Sequence, residues 1–316
     1  MPTLSGCHHI TLCVGKAQED VDFHVKMLGL RFIKRTVLFD GTVPVYHLYY
    51  SNQNGDPGSI VTTFPFHQAG INGRRGTNQA REVLLSVPSH SLDFWQRRLG
   101  DHHIATTAFD AFDTRRLGFL HPSGIDYVLV GVEGDRREGH AGHGVPKEHA
   151  VHGVYGVGVH VHTPDLAVEF AQKYLAGRDA TREGGRFAID TGAAGQGGAI
   201  ELSINRNDDQ GSWIYGSGTI HHFAFNAVNL ENQNELKLDI EGAGYTDLSE
   251  LKDRKYFKSV YVRAPGGLLC ELAVTHPEGG WTCDESPQEL GKRFQLPRQF
   301  EAQREEFLSR LERIDI

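Results

Sequence analysis

The stretch His8-His9-Ile10-Thr11-Leu12-Cys13-Val14 opens a unit that the chain contains four times. Its apolar and β-branched residues are typical of a strand. The next segment, Ala17 to Leu28, carries its apolar residues at helical spacing and ends at Gly29, a common helix terminator. Strand-like runs follow over 32–39, 46–50 and 60–64. This order of one strand, one helix and three strands defines a βαβββ module.

Three later segments have the same order, and such internal similarity is the signature of a repeated structural unit. Modules 2 and 4 even share a turn before the closing strand, His121-Pro122-Ser123-Gly124-Ile125 and Ala264-Pro265-Gly266-Gly267-Leu268. The sequence therefore predicts an α+β fold of four βαβββ modules. Their opening and closing strands fall at 81–87 and 125–130 in module 2, 155–162 and 199–204 in module 3, and 220–225 and 268–274 in module 4.

A polar, glycine-rich stretch from Glu133 to Ala150 separates the modules two and two, as an interdomain linker would. We therefore predict an N-terminal domain over 1–135 with modules 1 and 2, a linker over 136–150, and a C-terminal domain over 151–285 with modules 3 and 4. The charged segment 286–316 is predicted to be a C-terminal helical tail on the outside of the molecule.

The composition excludes several classes of protein. The chain has 316 residues, 40 of them acidic and 32 basic, for a formal charge of −8, which argues against nucleic-acid binding. Its apolar runs are strand-sized, too short for a membrane helix, and its start lacks a basic segment followed by an apolar one. We expect a cytoplasmic protein with no nucleic-acid or membrane partner. The 4 cysteines show no CxxC spacing, so a disulfide framework or zinc ribbon is not expected.

Histidine and one glutamate point to a metal site. Two of the 18 histidines, His9 and His222, belong to His-His pairs in the opening strands of modules 1 and 4. Glu271 lies inside the apolar closing strand of module 4, where an unpaired carboxylate would be costly to bury. A cation would remove that cost, and so would an arginine or a hydrogen-bond network; spacing alone leaves these possibilities open.

The repeats bring these residues together. If modules 1 and 4 are related by pseudo-symmetry, the His9 and His222 strands lie side by side and both closing strands line one cup. The closing strand of module 1, residues 60–64, has no acidic residue, and module 2 has Val128 where module 4 has Glu271. The sum is two imidazoles and one carboxylate with open positions, the ligand set of non-haem Fe(II) oxygenases.

At these residues, and along nearly the whole chain, the sequence resembles the vicinal oxygen chelate superfamily, which includes glyoxalase I and the extradiol dioxygenases. It is most similar to the ring-cleaving (chloro)hydroquinone 1,2-dioxygenases. The stretches that carry the resemblance are His8-His9-Ile10-Thr11, Val25-Lys26-Met27-Leu28-Gly29, Lys34-Arg35-Thr36, Asp40-Gly41, Pro44-Val45-Tyr46-His47-Leu48-Tyr49, Thr62-Thr63-Phe64-Pro65, Gly211-Ser212-Trp213, Ile220-His221-His222, Tyr256-Phe257 and Tyr261-Val262-Arg263-Ala264-Pro265-Gly266-Gly267.

The resemblance implies two glyoxalase/extradiol-dioxygenase-like domains with half-barrel sheets. It implies an Fe(II) cofactor and a reaction in which both atoms of O2 enter a hydroquinone-type aromatic (hydroquinone, chloro- or methylhydroquinone) with C1–C2 cleavage. The partners would be that aromatic substrate and O2, and we expect a homo-oligomer. The implied iron ligands are His9, His222 and Glu271, and the implied catalytic residues around them are His8, Thr11, His221, Arg254 and Tyr261.

Each assignment has an alternative. His8 and His221 point off the metal face in an ideal strand and could cap backbone groups, Arg254 could be a surface arginine, and Tyr261 suits any half-buried strand. The alternative functions are a glyoxalase-like isomerase or transferase, which usually has a fourth protein ligand, an extradiol catechol dioxygenase, and a binding protein without catalysis.

Two departures from the relatives also appear in the sequence. His160 and His162 share one strand face in module 3, for which a solvated or hydrogen-bonded pair is the better interpretation than a metal site. Cys270 precedes Glu271 where relatives usually have an aromatic residue, which bears on the substrate range.

Overall fold

Two mixed sheets of eight strands form the frame of the computed structural model, which describes residues 4–38, 44–175, 177–192, 197–204 and 213–316. Asp40-Gly41 and Gly211-Ser212, two of the stretches that carry the resemblance, lie outside these ranges. Each sheet curls into a half-barrel, which confirms the predicted α+β fold of four βαβββ modules. Within the described ranges, no helix combines the length and apolar character needed to cross a membrane.

Modules 1 and 4 share the first sheet, in the strand order β14-β15-β16-β13-β1-β4-β3-β2. Module 1 contains β1 (Leu4–Val14), α1 (Ala17–Val21), β2 (Arg31–Leu38), β3 (Val45–Ser51) and β4 (Ile60–Pro65). Module 4 contains β13 (Thr219–Ala227), α4 (Leu230–Gly242), β14 (Lys252–Asp253), β15 (Phe257–Arg263) and β16 (Leu269–Thr275).

Modules 2 and 3 share the second sheet, in the order β10-β11-β12-β9-β5-β8-β7-β6. Module 2 contains β5 (Gln79–Pro88), α2 (Leu92–Asp101), β6 (Thr107–Ala111), β7 (Thr114–Leu120) and β8 (Asp126–Val132). Module 3 contains β9 (Gly153–Val161), α3 (Asp165–Tyr174), β10 (Thr181–Glu183), β11 (Arg186–Asp190) and β12 (Ala199–Ile204).

This pairing differs from the grouping predicted from sequence order, in which modules 1 and 2 formed one domain and modules 3 and 4 the other. β1 pairs antiparallel with β13, and β5 pairs antiparallel with β9, so each sheet draws one module from either half of the chain. The expected side-by-side placement of the His9 and His222 strands is confirmed by this pairing. The boundaries at 135, 150 and 285 stay a prediction.

The helix of module 1 changes its winding where it meets the next module. α1 continues as a π-helix over Asp22–Met27, and Gly29 follows with a φ of 68°. A side chain at Gly29 would lie 2.7 Å from a methyl group of Val145 in the predicted linker. Glycine is therefore required here both by the backbone conformation and by the close approach.

The strands that the sequence did not reveal lie at or next to the edges of the sheets: β6, β10, β11 and β14. β10 and β14 are fully exposed and β6 mostly so, which removes the apolar alternation that marks a half-buried strand.

The tail also differs from its prediction. It contains a short 3-10 helix at Arg298–Gln303 and α5 at Arg304–Arg310. It does not lie only on the outside, however, because Pro297, Arg298 and Phe300 line the cavity of the first half-barrel. Buried Lys34 on β2 binds Asp284 and Glu285 of the preceding segment at 2.6 and 2.5 Å, which fastens this part of the chain to the sheet.

Candidate metal centre

Three buried side chains meet on the concave face of the first sheet, at its centre. β16, β13 and β1 are consecutive strands there, and they carry Glu271, His222 and His9 respectively. The Nε2 atoms of the two histidines are 3.0 Å apart. Glu271 Oε2 lies 2.8 Å from His222 Nε2 and 3.6 Å from His9 Nε2. The three predicted ligands therefore converge on one point.

Alternation along the strand explains this arrangement. Successive residues of a strand face opposite sides of the sheet, so Ile10 and Leu12 enter the core while His9 and Thr11 face the cup. On β16, Cys270 is likewise buried in the core, on the opposite face from Glu271. Cys270 thus packs into the core behind the sheet, away from the cup.

Glu271 has one satisfied and one unsatisfied oxygen. Oε1 accepts a 2.6 Å hydrogen bond from Ser259 Oγ, whereas Oε2 is buried without a hydrogen-bond partner, although His222 Nε2 is 2.8 Å away. Such an oxygen is costly to bury unless a cation neutralises it. Burial lowers the pKa of His222 to about 3 and that of His9 well below its ordinary value, so both imidazoles are neutral at pH 7, the form that binds metals. The residues present therefore fit a divalent metal ion.

Each ligand histidine contacts the histidine beside it in sequence. His8 Nδ1 lies 2.8 Å from His9 Nδ1, and His221 Nδ1 lies 2.8 Å from His222 Nδ1. An ideal strand would point neighbours to opposite faces, but the register between β1 and β13 shifts by one residue at His8 and again at His221. Such irregularities re-aim side chains. Both histidines are thus placed to orient a ligand ring through its second nitrogen.

A cavity of about 880 Å³ opens beside the two histidines, which both line it. Tyr261 lies in its wall with its ring centroid 5.5 Å from that of His222, and the Arg254 guanidinium lies 5.5 Å from the Tyr261 ring. Burial raises the pKa of Tyr261, so it stays a phenol. Burial opposes the charge of Arg254, yet Tyr261 and Glu271 raise its pKa, so it stays a cation. The lining also includes His47, Tyr49, Phe64, Tyr215, His221, Tyr256, Phe257 and Leu269.

The predicted residues are therefore gathered at one place. Thr11 lies 2.8 Å from His222 Nε2, His221, Arg254 and Tyr261 line the cavity, and His8 contacts His9 from behind. Four further residues of this site were not predicted as site residues from the sequence: His47, Tyr49, Thr62 and Ser259. A histidine and a tyrosine two apart in the strand-like run 46–50 share a face, and that signal could have found the first two.

A second cluster, Asp20, His24 and His121, also has ligand-like spacing but does not favour a metal. The backbone N–H of Ser123 donates to His121 Nδ1, so the neutral ring carries its proton on Nε2 and donates to Asp20 at 3.2 Å. A protonated nitrogen is not a metal ligand. The remaining polar atoms are paired as well: Tyr50 and Thr63 each donate to Asp20 Oδ2 at 2.6 Å, and Tyr127 bonds His24 Nε2 at 2.8 Å.

The histidine pair of module 3 belongs to neither cluster. His160 Nε2 lies 3.7 Å from Glu82 on the second sheet, and the backbone N–H of His162 donates to Asn78. Among the described residues, only the two groups above bring three ligand atoms together. This agrees with the expectation of a solvated or hydrogen-bonded pair.

Two known proteins are similar to this chain over nearly its whole length. A chlorohydroquinone/hydroquinone 1,2-dioxygenase of Sphingobium indicum is 37% identical over 310 residues, covering 96% of this chain and 95% of its own. A crystal structure classed as a dioxygenase from Bacillus subtilis superposes with a TM-score of 0.91 at 30% identity, over 100% of this chain and 99% of that one. No family model matches.

A more distant solved structure shares the fold. Glyoxalase I of Zea mays superposes with a TM-score of 0.62 at 10% identity, covering 85% of this chain and 92% of that one. The extent and identity of the first match show the family of the chain, and the glyoxalase I structure shows only that the fold is shared. The chain belongs to the family of ring-cleaving (chloro)hydroquinone 1,2-dioxygenases.

Proposed function

We propose that the protein is an Fe(II)-dependent dioxygenase that cleaves the C1–C2 bond of hydroquinone-type aromatics and adds both atoms of O2. The observation that carries the proposal is the unsatisfied oxygen of Glu271, buried beside two neutral imidazoles that line an aromatic cavity. The relative from Sphingobium indicum bears the name of this activity. Hydroquinone, chlorohydroquinone and methylhydroquinone are the proposed substrates.

Iron(II) suits the donor set. His9, His222 and Glu271 would hold it with two nitrogens and one oxygen, which leaves positions open for substrate and O2. When bound, the metal supplies Lewis acidity to the substrate oxygen and electron transfer to O2. The position in module 1 that corresponds to Glu271 holds Thr62, because Thr62 pairs with Thr11 as Glu271 pairs with Ala224. A hydroxyl in place of a second carboxylate argues against a four-ligand, glyoxalase-like site.

The cavity residues would bind and orient the ring. A para-diphenol presents one hydroxyl to the metal centre, so the protein must hold the rest of the molecule. Arg254 is a cation that favours the phenolate form of the substrate, and neutral Tyr261 beside it can donate a hydrogen bond to a substrate oxygen. The aromatic walls, among them Phe64 and Phe257, exclude water and pack on the ring.

The two histidines next to the metal ligands, His221 and His8, are placed for different roles. His221 lines the cavity and contacts His222 through Nδ1, so its other nitrogen can exchange a proton with the bound substrate. His8 is fully buried and its Nε2 bonds Thr275 Oγ1 at 3.0 Å, a position that suits orientation of His9. We therefore assign proton exchange to His221 and ligand orientation to His8.

The decisive experiment is anaerobic reconstitution with Fe(II), Mn(II) or Zn(II), followed by O2 uptake with hydroquinone, chlorohydroquinone, methylhydroquinone and catechol. We expect uptake only with Fe(II) and a hydroquinone, and two ¹⁸O atoms in the product from ¹⁸O2. Faster turnover of catechol would favour an extradiol enzyme, and metal-dependent isomerisation of a hemithioacetal without O2 uptake would refute the proposal.

Two further expectations stay predictions. The homo-oligomeric state can be tested by light scattering on the purified protein, where a mass near 35.1 kDa would contradict it. The cytoplasmic location can be tested by fractionation of the source cells.

A further inference from the structure

A row of polar residues crosses four strands and ends at the metal centre. Tyr49 on β3 lies opposite Thr62 on β4, Thr62 lies opposite Thr11 on β1, and Thr11 lies opposite His222 on β13. His47 shares the face of Tyr49 and joins the row. His47, Tyr49 and His222 line the cavity, and the side chains of Thr62 and Thr11 are fully buried between them.

Hydrogen bonds connect the row without a break. Tyr49 OH lies 2.9 Å from His47 Nδ1, and His47 Nε2 lies 3.0 Å from Thr62 Oγ1. Thr62 Oγ1 lies 2.7 Å from Thr11 Oγ1, which lies 2.8 Å from His222 Nε2. The imidazole of His47 packs against the rings of Tyr49 and Phe64, with centroid distances of 4.2 and 4.5 Å, so its orientation is fixed.

The chemistry of the members favours one direction along the row. A neutral imidazole has one donor and one acceptor nitrogen, so a phenol that donates to His47 Nδ1 leaves Nε2–H to donate to Thr62. Thr62 then donates to Thr11, and the Thr11 hydroxyl points its proton toward the nitrogen that would hold the metal. When that nitrogen binds a cation, the proton becomes available to an oxygen of the substrate.

We propose that His47 is a positioning residue that acts through Thr62 to hold the Thr11 hydroxyl as a hydrogen-bond donor to the aromatic substrate. This rests on the proposed ring-cleaving function and adds to it a residue outside the ligand set and its neighbours. Thr62 occupies the position in module 1 that is equivalent to Glu271. Instead of supplying a fourth metal ligand, this position thus orients the hydroxyl of Thr11.

Thr62 offers a matched pair of variants for the test. Thr62→Val keeps the shape but removes the hydroxyl, whereas Thr62→Ser keeps the hydroxyl. We expect Thr62→Val and His47→Leu each to lower kcat by about 10- to 100-fold, as loss of a group that orients a metal-site residue typically does. Thr62→Ser should stay within about twofold of the parent, and His47→Gln, whose amide can replace Nε2–H, should recover part of the loss.

The double variant separates a connected row from two independent effects. If His47 acts through Thr62, Thr62→Val/His47→Leu loses no more activity than either single variant. Full multiplication of the two losses, or unchanged kcat in Thr62→Val, would overturn the proposal. Iron content and thermal unfolding of each variant show that the comparison is between folded, loaded enzymes.

A measurement without turnover tests the direction itself. In ¹⁵N-histidine-labelled, Zn(II)-loaded protein, NMR distinguishes Nδ1–H from Nε2–H rings, and His47→Gln identifies the signals of His47. We expect the Nε2–H form, and an Nδ1–H form would overturn the directed row. Failure of the wild-type enzyme to consume O2 with any hydroquinone would instead count against the proposed function and leave this readout intact.

Discussion

Replacement of Glu271 by glutamine is expected to leave the metal-free protein as stable as the parent, whereas the same change at Glu201 is expected to destabilise it. The two glutamates are equivalent in register, because Glu201 pairs with Gly158 in the second sheet as Glu271 pairs with Ala224 in the first. Glu201 has a built-in cation: Arg116, 1% exposed, binds it at 2.6 and 2.8 Å. Glu271 has only the Ser259 hydroxyl and one unsatisfied oxygen.

The magnitudes follow from these contacts. Glu201→Gln leaves the Arg116 charge buried and unpaired, which costs about 3–5 kcal/mol. Glu271→Gln removes a charge without a cationic partner and keeps the acceptor for Ser259, so the free energy of unfolding should change by less than about 1 kcal/mol. Bound metal then separates the parent from Glu271→Gln as well. At a free metal concentration of 100 times Kd, the parent should gain about 2.7 kcal/mol, which Glu271→Gln should lose.

The assay is urea unfolding of the parent and both variants, in chelator and with saturating Zn(II) or anaerobic Fe(II). A gain of about 2.7 kcal/mol corresponds to a rise in Tm of about 4 °C for a chain of 316 residues. Equal destabilisation of Glu201→Gln and Glu271→Gln in chelator would refute the reasoning, because it would mean that Glu271 already has a partner in the metal-free protein.

Three further predictions concern substrate binding, the tail and pH. Arg254→Met should lower kcat/KM for hydroquinone by about 10- to 100-fold, because the site loses a charged hydrogen-bond donor, and iron content should stay unchanged. An unaltered kcat/KM would show that Arg254 does not contact the substrate. Lys34→Met should lower the free energy of unfolding by urea by about 3–5 kcal/mol, because it removes the buried ammonium group that pairs with Asp284 and Glu285. Lys292→Met, which breaks an exposed ion pair, is the control and should change the free energy little. The metal-free protein should lose stability as pH falls below about 6.5, because burial lowers the pKa of His8 to about 4 and that of His222 to about 3. Below that pH the unfolded chain binds protons that the folded chain does not. Equal unfolding free energies at pH 7 and pH 5 would contradict this prediction.

Much of the site could be predicted from the sequence because its signals are local. The His-His pairs open apolar, strand-like runs, and Glu271 is an acid in an apolar strand, so each candidate residue could be singled out by itself. The repeat then predicted that these residues lie close together, because related modules place equivalent strands side by side. The prediction that the His9 and His222 strands lie side by side already implied that module 1 pairs with module 4. The predicted domain boundaries nevertheless followed sequence order.

What could not be predicted depends on contacts distant in sequence. The contacts of His8 with His9 and of His221 with His222 require register shifts between β1 and β13, which no single strand reveals. The polar row that includes Thr62 needs the registers of three strand pairs, and the contribution of the tail to the cavity needs the anchoring of Asp284 and Glu285 by Lys34. Edge strands such as β10 have no buried face, so their sequences carry no pattern.

The central claim is that His9, His222 and Glu271 together hold one divalent metal ion. It is tested most directly by anomalous X-ray scattering at the iron edge from crystals loaded anaerobically with Fe(II). We expect one strong peak between the two Nε2 atoms and Glu271 Oε2, and none at Asp20, His24 and His121. A peak at the latter cluster, or no peak among the three ligands in crystals that contain one iron per chain, would contradict the account.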